Sequence, residues 1–199
     1  MRPSGSLCRL SLAAILAGLA LGCVGDPGPA EAGADRFLEL YNAYRIVDAL
    51  ELVAADVAVD IPDAVRLSGK AELGSRMRWD SVLATQFRAS APKVRGDTTV
   101  VARLTETSAW LQLLGVASLE REEARFVVRD GLIAEISLGA LTPSGRENLE
   151  RAYEDFLPWA QHEYPERLGR VRPDGRFDYQ PRRAADLLSL LRVWRRGIR

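Results

Sequence analysis

Sulfur and imidazole are scarce in this chain, which has two cysteines, two methionines and one histidine in 199 residues. A zinc site needs about four Cys, His or carboxylate ligands drawn together, and with only His162, Cys8 and Cys23 no such Cys/His cluster can be assembled. His162 falls just before Pro165 in a helical pattern, where a positive charge is favoured at a helix end. No glycine-rich phosphate loop and no GxSxG nucleophile elbow occurs. No metal and no cofactor is therefore implied. The longest apolar or small run, Leu10 to Leu21, is twelve residues, short of the ~20 that cross a bilayer.

That run nevertheless has a setting. Arg2 and Arg9 precede it, and Ala20-Leu21-Gly22-Cys23 follows. A basic start, a short apolar core and small residues before a cleavage point are the parts of a secretory signal. The segment resembles the bacterial lipobox, with the leucine one place earlier than the commonest pattern. That resemblance implies a signal peptide over residues 1–22, cleaved before a lipidated Cys23, and hence a protein anchored at the cell envelope, outside the cytoplasm. The plainer alternative is an ordinary signal segment with an incidental cysteine. A disulfide is disfavoured because Cys8 lies in the part that would be removed. Residues 23–33 are rich in Gly, Pro and Ala and read as a flexible linker, offering no rigid setting to lower a thiol pKa.

The net charge of zero hides an asymmetry. From Val24 to Tyr164 there are 15 Lys/Arg against 23 Asp/Glu, and from Pro165 to Arg199 there are 10 Arg against 4 acids. An acidic body thus carries a basic tail. Nucleic acid is not the expected partner for that tail, since an export signal separates the two.

Periodicity divides the body into helices followed by strands. Phe37, Leu40, Tyr41 and Tyr44 lie on one helical face after Asp35, a predicted N-cap. A short helix is expected over Val47 to Ala54, and Val57 to Ile61 alternates as a strand turned by Pro62-Asp63. Ser68 is placed to cap a long helix reaching about Phe87. Four strands are predicted next, over 88–95, 98–113, 120–129 and 132–141, joined as antiparallel hairpins. Helices first and a meander after argue α+β.

This order, with the phrases RFLELYNAY, LELVAADVAVDIPDAVRLSGKAELG and FVVRDGLIAEISL, resembles the nuclear transport factor 2-like superfamily, particularly its SnoaL-like bacterial members. The resemblance covers residues 34–141. It implies helices wrapped on a strongly curved antiparallel sheet, forming a cone with a deep pocket, and a function among small-ligand binding, isomerase, cyclase or lyase chemistry, or dimerisation. Ketosteroid isomerases of that superfamily use a carboxylate base with a tyrosine and a protonated aspartic acid. Those positions correspond to Ile61, Phe37 and Ala124 here, none of which supplies the group. Strand alternation sends Asp60 to the opposite face from Val57, Val59 and Ile61.

Other carboxylates interrupt apolar stripes. Asp80 continues the helical series Leu73, Met77, Ala84 and Phe87, and Glu106 continues the strand series Val100, Ala102, Leu104, Ser108 and Trp110. Buried acids are costly unless paired, and desolvation raises their pKa toward values useful for proton transfer. Asp80 and Glu106 are thus the candidate acid/base groups. Tyr41, Tyr44, Trp79 and Trp110 are candidate ligand-binding walls, and Arg88 is a candidate anion partner. The structural alternative has Asp80 salt-bridged to Arg76 or Arg88, Glu106 turned outward by a β-bulge, and the tyrosines in ordinary core packing.

Residues 142–199 form a helical extension beyond the resemblance. Thr142-Pro143 starts a helix in which Pro158 is expected as a kink, and Pro181 to Arg196 places Ala184, Leu187, Leu188, Leu191 and Trp194 on one side. That stripe needs a partner: the domain itself, a second copy in a homodimer, or the membrane near the lipid. Docking on the domain is the preferred expectation. The leading functional expectation is a lipid-anchored protein binding a small, partly apolar molecule in the cone. An enzyme using the inward carboxylates and a non-catalytic assembly module are the alternatives.

Overall fold

The computed structural model describes residues 28–62, 64–177 and 179–197. The signal segment 1–22 and Cys23 lie outside them. Helix α1 (Pro29–Asn42) starts with Pro29 in its first turn after Gly28, where the missing N–H of proline has no helical partner to lose. Residues 29–33, expected as linker, are therefore helical, and the N-cap, Gly28, is seven residues earlier than Asp35. The helix stops where Arg45 donates its backbone N–H to Leu40 O at 2.9 Å and Tyr44 takes φ 56°.

Helix α2 (Ile46–Glu51) leads into strand β1 (Val53–Ile61) and a short strand β2 (Val65–Ser68) that the sequence pattern did not reveal. Helix α3 (Gly69–Val82) opens with the Ser68 backbone N–H donating to Glu72 Oε2 at 2.7 Å, which gives one N-terminal backbone donor a side-chain acceptor. Strands β3 (Gln86–Arg95) and β4 (Thr99–Thr107) follow. The expected long strand to residue 113 ends at Thr107, because Ser108 Oγ accepts the Leu111 N–H at 3.3 Å and caps helix α4 (Ala109–Leu114). Gly115, at φ 84°, closes that helix, a conformation with little cost only for glycine.

Strands β5 (Leu119–Arg129) and β6 (Leu132–Ser137) form a hairpin through Asp130-Gly131, both with positive φ, as two-residue hairpin turns require. The sheet order is β2-β1-β6-β5-β4-β3. The β1–β6 pairing is parallel, so the sheet is mixed rather than wholly antiparallel. Register shifts interrupt four of the five ladders, and such bulges bend a sheet and increase its twist.

Helices α5 (Pro143–Glu163), α6 (Pro165–Val171) and α7 (Pro181–Gly197) complete the chain, with a 3-10 turn at Pro173–Gly175. Thr142 Oγ1 caps α5 by accepting the Gly145 N–H at 3.2 Å, and α5 continues through Pro158.

Two apolar cores result. One lies between the sheet and α1, α2 and α3, with Phe37, Met77, Leu104 and Phe126 at its centre. The other joins Trp79 of α3, Leu83 just after it and Leu111 of α4 to α5, α6 and α7. The stripe of α7 is buried on the molecule itself, with Leu190 and Leu191 fully enclosed, so the extension docks on the body as preferred. Burying one such leucine is worth about 1.5–3 kcal/mol. Among the described residues no helix is long and apolar enough to cross a membrane.

Candidate functional site

The interior of the curved sheet is filled by its own side chains. Tyr41 stands between Phe37 and Phe87, with ring centroids 5.8 and 5.4 Å away, and Phe37 meets Phe126 at 6.4 Å. What remains is about 30 Å³, close to the volume of one water. On its wall Tyr41 Oη donates to Asp80 Oδ2 at 2.5 Å, and Arg76 Nε donates to the same oxygen at 2.7 Å. Burial and then the Asp80 charge push the Tyr41 hydroxyl well above its usual pKa. Burial works against the Arg76 charge, but Asp80 more than offsets it and keeps the guanidinium protonated. Two donors thus close Asp80 Oδ2, while Arg76 also borders a second cavity.

A larger cavity of about 280 Å³ opens at one end of the sheet, where the chain from α5 onward covers it. Glu106, 3% exposed, faces it from the last turn of β4. Opposite is Arg121, whose Nη2 lies 3.4 Å from Glu106 Oε2 and whose Nη1 donates to Gly139 O at 3.1 Å. A bulge puts Arg121 there. Ala102 pairs with Ala124 but Leu104 pairs with Arg121, so β5 carries one extra residue at Glu122-Glu123, and both Ala124 and Arg121 face inward. Among the described residues Arg121 Nε is buried without a hydrogen-bond partner. Burial raises the Glu106 pKa against the opposing fields of Arg121 and Arg76.

The cavity's apolar walls come from three regions. Trp79 on α3 packs edge-on to Tyr179 at 5.4 Å and meets Phe177 at 6.2 Å. Trp110 on α4 stacks on Tyr153 of α5 with centroids 6.2 Å apart and planes 21° from parallel. Burial also raises the Tyr153 pKa, keeping its hydroxyl a neutral donor. Arg172 lies 5.1 Å from the Phe177 ring centroid and donates from Nη2 to Gly175 O at 2.6 Å. Among the described residues no group of three or more His, Cys, Asp or Glu could hold a metal ion.

No protein-family model matches the chain, and no curated protein matches it. Solved structures do. The epoxide hydrolase/cyclase-like enzyme SalBIII, which has a role in pyran ring formation in the polyether salinomycin, superposes with a TM-score of 0.51 at 8% identity, over 58% of this chain and 92% of that one. A protein from Kribbella flavida DSM 17836 gives 0.50 at 16% identity, over 63% and 94%. An NTF2-like protein of unknown function from Cytophaga hutchinsonii ATCC 33406 gives 0.49 at 9% identity, over 61% and 96%. The chain has the nuclear transport factor 2-like fold.

Within that fold the residues selected from sequence separate into three groups. Glu106, Trp79 and Trp110 share the large cavity, although Trp110 arrives on α4 and not along the strand. Tyr41 and Asp80 share the 30 Å³ space and each other. Tyr44 and Arg88 join neither. Tyr44 occupies the turn after α1, and Arg88 is exposed on β3 opposite Thr105. Asp60 faces away from the cone, as alternation required, with Arg66 Nε 3.0 Å from its Oδ1.

Sequence reasoning missed Arg121, Tyr153, Arg172, Phe177 and Tyr179. For Phe177 and Tyr179 a signal existed, since two aromatics at alternate positions in an otherwise polar RFDYQ segment need something to pack on. For Arg121 there was none, because alternation counted back from Phe126 and Ala124 sends it outward.

Proposed function

We propose that this is a lipid-anchored, extracytoplasmic protein that binds a small, partly apolar molecule in the cavity at the mouth of its nuclear transport factor 2-like cone. The observation that carries the binding reading is the 280 Å³ cavity itself, walled by aromatic rings and furnished with a few polar groups. Ligand sites have this composition, mostly apolar with a small number of placed polar atoms. The filled interior moves the site outward from the deep pocket the fold suggested, to the seam with the C-terminal extension. The anchoring half of the proposal rests on residues 1–23 alone. Intact mass of the chain purified from its own membranes tests both halves: a lipid adduct on Cys23 and a copurifying small molecule are expected, and an unmodified chain released from membranes by salt would overturn the anchor.

A catalytic reading draws on one feature, the raised pKa of Glu106 inside the cavity, which suits a proton-transfer group of isomerase or cyclase type. Asp80 has no part in this catalytic reading, since its Oδ2 already accepts two donors beside a space of about 30 Å³. Glu106→Gln should abolish turnover of any substrate found, and unchanged turnover would remove Glu106 from catalysis.

A further inference from the structure

The cavity's charges narrow the chemistry of its ligand. Arg76, Arg121, Arg172 and Arg176 all line it, against one lining carboxylate among the described residues, Glu106. Two of the four are occupied, Arg76 by Asp80 at 2.7 Å and Arg121 by Glu106 at 3.4 Å. Among the described residues neither Arg172 nor Arg176 has a carboxylate partner. Arg172 is nonetheless held, by its bond to Gly175 O and its contact with Phe177.

Two donors on arginines that line this cavity stand out. Among the described residues, Nε of Arg121 and Nε of Arg172 are both buried with no acceptor, and Arg121 is 7% exposed. A buried donor left unpaired is costly, and native proteins hold few of them without a reason. The Nε edge of a guanidinium is one of the faces that takes a carboxylate through two parallel hydrogen bonds. Around these donors the walls are Trp79, Trp110, Tyr153 and Phe177, which favour a flat ring over an aliphatic chain through stacked and edge-on contacts. A dianion fits poorly, because its second charge would fall in the same small cavity as the Glu106 carboxyl.

We propose that the ligand is a small aromatic carboxylate, its ring held among Trp79, Trp110 and Phe177 and its carboxylate held by Arg121 and Arg172. This rests on the reading of the cavity as a ligand site and specifies the ligand's class. The extension is then part of the site, since Arg172 and Phe177 belong to it.

The test is isothermal titration calorimetry of the full chain in detergent with 2-naphthoate and with its neutral isostere 2-naphthamide. The carboxylate should bind about tenfold or more tightly than the amide, the gain expected of a charge-assisted bond. Arg172→Met should bring the two within about twofold, with far-UV circular dichroism matching the unaltered protein to show that the variant is folded. Arg121→Met should reduce the ratio in the same way, and Arg88→Met, at an exposed strand position, should not alter it. Equal affinity of the two probes for the unaltered protein would overturn the carboxylate assignment and leave the ligand site standing. Binding of neither probe would overturn both, and a ratio that survives both Arg121→Met and Arg172→Met would overturn the roles given to these arginines.

Discussion

Among the described residues there are two buried arginine–carboxylate pairs, and they differ in how completely they are satisfied. Arg76 and Asp80 are one helical turn apart on α3, meet at 2.7 Å, and are completed by the Tyr41 hydroxyl in a space too small for a ligand. Arg121 and Glu106 come from adjacent strands, meet at 3.4 Å, leave Arg121 Nε unpartnered and open onto 280 Å³. Buried ion pairs gain little net stability, and breaking one strands the surviving charge. A fully bonded pair in a filled core fastens helices to each other. An under-bonded pair on a cavity keeps hydrogen-bonding capacity for something else.

Four changes test that contrast. The largest effect is expected from Asp80→Asn, which leaves the Arg76 charge uncompensated in the core and should lower unfolding free energy by about 3–5 kcal/mol. Urea titration followed by tryptophan emission measures it, and a loss below about 1 kcal/mol would remove the structural role given to this pair. Tyr41→Phe deletes one hydrogen bond to a charged acceptor and spares the ion pair, so a loss of about 1.5–3 kcal/mol is expected by the same titration.

Glu106→Gln is expected to cost less at neutral pH, because burial already opposes the charged carboxyl it removes. Its signature lies in the pH dependence. The folded protein holds the Glu106 proton more tightly than the unfolded chain does, so between the ordinary value of 4.5 and the raised one the folded state binds more protons. Stability contributed by Glu106 is therefore fully present below 4.5 and lost as pH rises through the raised value. The groups facing it are Arg121, Arg76 and Asp80. Relative to Glu106→Gln, the unaltered protein should lose stability with rising pH across that window, and parallel curves would contradict the burial account. The smallest effect belongs to Arg88→Ala, within about 0.5 kcal/mol, as for other exposed positions. A larger loss would mean that its strand face is covered by a partner.

Much of this contrast was legible in the sequence. The interruption of two apolar stripes by Asp80 and Glu106 correctly marked both as inward, and both are almost fully buried. A spacing of four residues on α3 was enough to suggest Arg76 as the partner of Asp80, because the two are neighbours on any helix. The aromatic series Phe37, Leu40 and Tyr41 was read correctly until Tyr44, where the helix had already ended. Strand β2 was missed because four residues beside Pro62 carry too short a pattern. The run from Thr98 to Leu113 was misread as one strand because serine at 108 alternates acceptably and only its capping bond ends the ladder.

What the sequence determined by itself is what periodicity encodes: helices before strands, an amphipathic α7, and a carboxylate on the inner face of β4. These follow from local rules, with side chains repeating every two or 3.6 residues along a regular backbone. Tertiary structure decided where the open space lies and what chemistry surrounds it. Aromatic packing filled the cone, a one-residue bulge in β5 turned Arg121 toward Glu106, and docking of the extension brought Tyr153, Arg172 and Phe177 across from Trp79 and Trp110. Neither a bulge nor the volume left between packed elements is periodic, so neither leaves a pattern in the chain.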